Sequence, residues 1–325
     1  MIADIVTFII EMRVMVGCLP YSPTKFFYLC FFSGAFIMMS GFANAQQKQD
    51  DVKENRFSIS IMPAYQQENF RWSIAGDIRG ANPNIYSELI WKKIAGPAIS
   101  ADITWKFWKS FLIKSNFLKT FIRSGNVTDT DYQGDNRTDK SYYGSFNAGH
   151  GDIISIQALL GYKFLIKKKN FITLYFGYRI HAQSLFLLNQ STYPGLKSSY
   201  ATSWKGIAGG FHAEIFVAKK ISIEPSFLYS QVKYSGKANW NLIQQFQHPL
   251  SFEDRANGFG IEPGIKLRYN FDTTFSIFFS GNYSYWKTGK GIDQLYLANG
   301  QTPSTQFNGA CGNSWEMGVG VRLLF

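Results

Sequence analysis

Asp129 and Asp131 stand two positions apart in the stretch Asp129-Thr130-Asp131-Tyr132, just ahead of the turn-forming residues at 134–137. In an extended segment, residues two apart project from one face, so both carboxylates can address one water or one cation. Such a pair can hold a nucleophilic water for a base, or it can bind a positively charged group. A general base must titrate near the working pH and reach the water, and histidine does so with an unperturbed pKa. His248, ahead of Glu253 and Asp254, and His150, at the end of the aspartate segment, are the histidines placed to serve. Two aspartates alone form an acid–base pair only by sharing a proton, which needs close approach and burial. A solvated loop would show the same spacing, so the supporting elements have to be read next.

Lys25 precedes an apolar run at 26–39, too short to span a bilayer, and small residues follow at Ala43 and Ala45. A basic start, a short apolar stretch and an Ala-x-Ala end predict a secretory signal cleaved after Ala45, so 1–45 is leader. The leader's basic part is long, and Met12 or Met15 is an alternative start. Residues 46–55 read as a polar lead-in and 56–325 as the mature domain. One cysteine, Cys311, remains after the cut, which leaves neither an intramolecular disulfide nor a thiolate cluster for a metal. There is no P-loop, no G-x-S-x-G and no cofactor motif, so no cofactor and no metal are expected.

Apolar residues make up 46% of the chain and aromatics 17%, yet no mature segment approaches the roughly 20 apolar residues of a membrane helix. Alternation supplies the missing signal. Trp315, Met317, Val319, Val321, Leu323 and Phe325 take one face of the C-terminal segment, opposite Glu316, Gly318, Gly320 and Arg322. Segments 259–269, 276–286 and 171–181 repeat the pattern. A soluble sandwich would alternate too, but tyrosine and tryptophan at strand ends and the terminal phenylalanine favour lipid. The expected fold is all-β: a ten-stranded antiparallel transmembrane β-barrel with long extracellular loops, in an outer membrane of the Gram-negative type. Strands are expected near 56–72, 85–103, 111–127, 150–166, 170–187, 203–218, 221–235, 256–270, 273–288 and 313–325. The links at 105–111, 166–170, 218–222 and 270–274 are short, whereas 128–149, 188–202, 236–255 and 289–312 are long. By parity the aspartates lie on the outer face.

Arg179, His181, His212, Glu214, Glu224, Glu262, Lys266 and Arg268 fall on the lumen side, where a narrow barrel must pair its charges. Large side chains there leave no room for a porin-type channel. The net charge of +11 suits the phosphates of outer-membrane lipid, lipopolysaccharide among them. Nucleic acid is not an expected partner, because no recognition fold accompanies the basic residues.

These features resemble the omptin group of outer-membrane proteases. The stretch 87–93 is similar to the start of that group's second strand, and Asp129-Thr130-Asp131-Tyr132 to its acidic motif. The local sequence at 135–137, 238–242 and 248–252 is nearer to a divergent branch, the Protochlamydia outer membrane protein group. The resemblance implies that Asp129 and Asp131 hold one side of a nucleophilic water, and that Glu68, in the first strand, lies near a specificity pocket. It also implies an Asp-x-His pair from the fourth outer loop. Ala238 and Trp240 stand at those two positions, and neither can move a proton. The resemblance therefore implies a binding or surface role at an outer groove, with Trp240 beside Glu68 on the ligand side and a peptide or protein as ligand. The alternative is an endopeptidase whose base is relocated to His248.

Overall fold

The computed structural model describes residues 56–167, 169–188 and 193–325; the expected leader and lead-in lie outside the described residues. Twelve strands follow one another: β1 (Phe57–Ile74), β2 (Ser87–Trp108), β3 (Phe111–Phe121), β4 (Ser124–Gly134), β5 (Thr138–Asn147), β6 (Gly151–Lys167), β7 (Asn170–Leu188), β8 (Lys197–Phe216), β9 (Ile221–Asn239), β10 (Phe252–Asn270), β11 (Phe275–Leu295) and β12 (Ser304–Leu324). Ten of them pair in the closed antiparallel circuit β1-β2-β3-β6-β7-β8-β9-β10-β11-β12, and β12 returns to β1. Closure leaves the circuit no edge, and every backbone group in lipid needs a partner.

The remaining two strands form a hairpin on top of the ring. After Ile122 and Arg123 the chain of β3 resumes as β4, which pairs with the upper part of β2; β5 then descends into β6. Gly151 permits the second break. Its φ is +118°, and a Cβ there would lie 1.9 Å from the Ser184 carbonyl oxygen. Glycine is the residue that accepts both conditions. The segment 128–149, expected as a loop, is thus mostly strand, and the only helical turn in it is at Asp135–Arg137.

The strands also run further outward than alternation suggested, with β8 starting at Lys197, β9 ending at Asn239 and β12 starting at Ser304. The reason is a reversal of phase. In the lower band apolar side chains point out: Ile61 and Tyr65 on β1, Ile207 and Phe211 on β8, and Phe279 and Tyr283 on β11 are all exposed. Higher on the same strands the apolar set turns inward, with Phe70 and Trp72, Tyr200 and Trp204, and Trp286 buried. Lipid rewards an apolar exterior, whereas water above the membrane rewards an apolar interior. A strand crossing that boundary keeps its backbone and changes its pattern.

The lumen is layered accordingly. In its lower part Arg268 bonds Glu224 at 2.6 Å and also Glu214; Lys163 reaches Glu214 at 3.4 Å, and His212 reaches Glu224 at 3.4 Å. Arg179 pairs with Glu262, its guanidinium carbon 4.3 Å from the centre of the Trp286 ring. A cavity of about 120 Å³ lies among Arg179, His212, Glu224, Glu262, Asp102, Lys114 and Lys266. Above it an aromatic layer closes the barrel. Tyr200 stacks on Trp72 (5.3 Å between centroids), Trp91 (5.7 Å) and Phe70 (6.1 Å), and Phe252 completes the group at 6.2 Å.

Candidate functional site

Asp129 and Asp131 belong to β4, above the lipid-facing band. Opposite them on β2 are Leu89 and Ser87, and on β5 Gly144 and Tyr142. Cross-strand partners share a face, and Leu89 is buried in the aromatic layer's cluster, so both aspartates face inward. Gly144 leaves space beside Asp129 into which its neighbours lean. A Cβ there would meet the Phe146 ring at 2.5 Å and the Tyr142 hydroxyl at 2.6 Å. Tyr142 in turn hydrogen-bonds Tyr193, whose ring also lies 5.8 Å from Phe146. The acidic pair is therefore set in a wall of two tyrosines, one phenylalanine and the Ser87 hydroxyl.

That wall sets the protonation. Burial raises the Asp129 pKa from 3.8 to about 8, and the neighbouring charge of Asp131 adds to the effect. Asp131 is raised too, again by burial, with a hydrogen bond from Ser87 working against it. The Tyr142 phenol is pushed upward by burial, by its bond to Tyr193 and by both aspartates, and stays a donor. Near neutral pH the pair holds one proton, on Asp129. Its Oδ1 is buried with no hydrogen-bond partner, and among the described residues no Lys, Arg or His forms an ion pair with either aspartate.

The four histidines make other contacts. His248, exposed in the 240–251 loop, bonds Asn239 Oδ1 through Nδ1 at 2.8 Å. His150 lies edge-on to Phe186 at 5.0 Å. His181 bonds Ser155 at 2.8 Å and lies 3.7 Å from Glu68, and His212 pairs with Glu224. Glu68 is 1% exposed, accepts a hydrogen bond from Gln183, and sits one inward position below Phe70. Trp240 is half-buried just beyond β9, its ring edge-on to Phe252 at 4.9 Å. Ala238 is buried, directly across from Tyr200 and Phe252. The Asp-x-His positions thus border the aromatic layer.

Sequence reasoning did not single out Tyr142, Tyr193 or Ser87, because Tyr142 and Ser87 reach the aspartates through β-pairing, Tyr193 packs on Tyr142 from a loop, and none is adjacent in sequence. Among the described residues no group of three or more His, Cys, Asp or Glu is placed to hold a metal ion.

The sequence pattern of the Protochlamydia outer membrane protein family matches residues 60–324. No curated relative matches the chain. Among solved structures, the chain is similar to the outer membrane protease OmpT from Escherichia coli. The two share 13% identity and a TM-score of 0.69, over 86% of this chain and 99% of that one. It also matches the translocator domain of the autotransporter NalP from Neisseria meningitidis, at 12% identity and a TM-score of 0.37, over 95% of this chain and 100% of that one.

Proposed function

We propose a surface-binding role for this chain, which belongs to the Protochlamydia outer membrane protein family and forms an omptin-like β-barrel in the outer membrane. The barrel carries a half-neutralised acidic pair at its outer end and takes a cationic group of a peptide or protein there. The observation that supports this reading is the pairing of Asp129 with Asp131 in a wall that has no cation of its own among the described residues. A guanidinium or ammonium entering the wall would displace the proton of Asp129 and pair with both carboxylates. Binding should therefore tighten as pH rises from 6 to 8.5, because less proton has to be displaced. Titrating an arginine-containing peptide against protein in glycolipid micelles tests this. Asp129→Ala/Asp131→Ala should weaken binding at pH 8.5 about tenfold or more, and equal affinity for both proteins would remove the reading.

A second reading is endopeptidase activity. It draws support from the proton held on Asp129 beside Asp131, since a neutral acid beside an ionised base is the arrangement two carboxylates need to activate water and protonate a leaving amine. His248 would be the relocated base in its other form, and Trp240 would flank the ligand, whereas Glu68 is buried below Phe70 and under the aromatic layer, out of reach of a ligand at the outer end. Incubation with a mixed peptide library separates the readings: the binding role expects intact peptides, the enzymatic one cleavage that Asp129→Ala/Asp131→Ala abolishes.

The outer surface supports a lipid partner as well. Lys205 and Lys233 are exposed and directly opposite on β8 and β9, one outward position above Ile207 and Gln231. Like charges so paired repel, and among the described residues neither has an ion-pair partner. A glycolipid phosphate between them would relieve the repulsion, as lipopolysaccharide could. Lys205→Gln/Lys233→Gln should cut retention of phosphorylated glycolipid through purification roughly tenfold, on the scale of a charge-assisted bond. Retention equal to wild type would exclude this place.

A further inference from the structure

Asp254 on β10 and Asp293 on β11 are direct cross-strand partners, 0% and 4% exposed. The Tyr200 hydroxyl, itself bonded to Tyr234 at 2.7 Å, donates to Asp254 Oδ2, and Thr305 Oγ1 donates to Asp293 Oδ2 at 3.1 Å. The Oδ1 atom of each carboxyl is buried and lacks a donor, while the two carboxyl groups lie within hydrogen-bonding reach of one another. These facts agree if a single proton lies between the two carboxyls. Two ionised carboxylates at this spacing would face one another unsolvated, which is costly. No third ligand for a metal stands with them among the described residues.

The pair sits where two outer loops are tied together. Gln247 N donates to the Tyr296 carbonyl at 2.8 Å, Ala298 N to the Gln245 carbonyl at 2.9 Å, and Tyr296 N to the Ser251 carbonyl at 2.8 Å. These bonds join the 240–251 loop to the 296–303 loop directly above the β10–β11 seam. We propose that Asp254 and Asp293 form a proton-held latch that keeps these two loops closed, and that alkaline conditions release them by removing the shared proton.

The surrounding groups cannot replace that proton. Tyr200 faces the pair from β8 and Tyr234 from β9, and burial and the nearby carboxylates raise both phenols well above the usual value. Glu253, on the pair's own strand, adds negative charge and is itself paired outward with Arg255 and Lys237. Thr305 from β12 is a neutral donor. Burial together with the partner's charge raises Asp254 well above the carboxylate range, and burial raises Asp293 to about 6. The one-proton state therefore covers neutral pH, and losing its last proton is the event that opens the seam.

The test is amide exchange, corrected for intrinsic pH dependence, over 240–251 and 296–303 in glycolipid micelles between pH 7 and 10. Wild type should show at least a tenfold rise in both loops and none in the hairpin tip at 134–138. Asp293→Asn and Asp254→Asn each supply an amide N–H in place of the proton, so their loops should stay closed at pH 10; Asp254→Ala should leave them open throughout. Loops that open in the asparagine variants as they do in wild type would overturn the latch. Should these variants fail to fold, infrared spectra of the Asp129→Asn/Glu316→Gln protein, which lacks the other buried carboxyl able to hold a proton, decide the matter. A protonated carboxyl band at pH 7.5 that disappears by pH 10 supports the latch, and absence of the band at pH 7.5 refutes it.

Discussion

Trp91→Ala should cost about 3–5 kcal/mol of stability, the range for removing a large aromatic from a packed core, and so shift the folded-to-unfolded ratio more than a hundredfold. Trp91 is fully buried, and it stacks on Tyr200 at 5.7 Å and packs on Phe70 at 5.6 Å. The matching control is Phe279→Ala. Phe279 is 46% exposed on the lipid-facing band, so truncating it removes contacts with detergent or lipid and leaves no internal cavity. Urea unfolding in micelles should place the Trp91→Ala midpoint far below that of Phe279→Ala. Equal midpoints would mean that the aromatic layer is not the packed core of the upper barrel. Tyr200→Phe adds an intermediate case. The ring stack survives, but Asp254 Oδ2 loses its phenolic donor, and an unsatisfied buried acceptor costs roughly 1–3 kcal/mol.

The lower half of the molecule was legible in the sequence for a simple reason. In lipid, the outward positions of β12 from Trp315 to Leu323 are apolar and the inward ones from Glu316 to Arg322 are glycine or polar, so the period of two carries full contrast. The ring of ten, the tight inner turns and the lumen's paired charges all follow from that contrast. The upper half misled because the contrast inverts. On β8, Ile207, Phe211 and Ile215 point out, whereas Tyr200 and Trp204 point in; a reading that follows one face loses the strand near residue 203. The third and fourth long strands are harder still, since the chain leaves strand geometry at Ile122 and Arg123 and again just before Gly151, where the partner β2 or β7 continues.

The candidate site was half legible for the same reason. That Asp129 and Asp131 share a face follows from spacing once the segment is extended. Their protonation does not, because it depends on Tyr142, Leu89 and Phe146, which arrive through pairing with β2 and β5. Asp293 was invisible as a partner of Asp254 until the β10–β11 register placed the two side by side. Spacing along one strand can be read from sequence; chemistry between strands waits on register.

Asp129 should make the protein less stable as pH rises, contrary to the behaviour of a salt-bridged carboxylate. Its folded-state pKa is raised, from 3.8 to about 8, so the folded state holds this proton more tightly than the unfolded chain does. The stabilisation is complete below the unfolded pKa, falls as pH rises from about 4, and is gone once pH passes about 8. Holding that proton up to about pH 8 rather than 3.8 corresponds to on the order of 5 kcal/mol, at about 1.4 kcal/mol per tenfold in proton affinity. That figure is a ceiling, because solvent at the outer edge of this half-buried side chain screens part of the effect. Asp129→Asn keeps the shape and removes the titration. Urea midpoints of both proteins in the same micelles at pH 5, 6, 7, 8 and 9 isolate the contribution, because every other carboxyl titrates in both. The wild-type advantage over Asp129→Asn should shrink steadily to pH 8 and then level off. A constant difference across that range would mean that Asp129 is ionised and solvated, and the half-neutralised pair on which both functional readings draw would not exist.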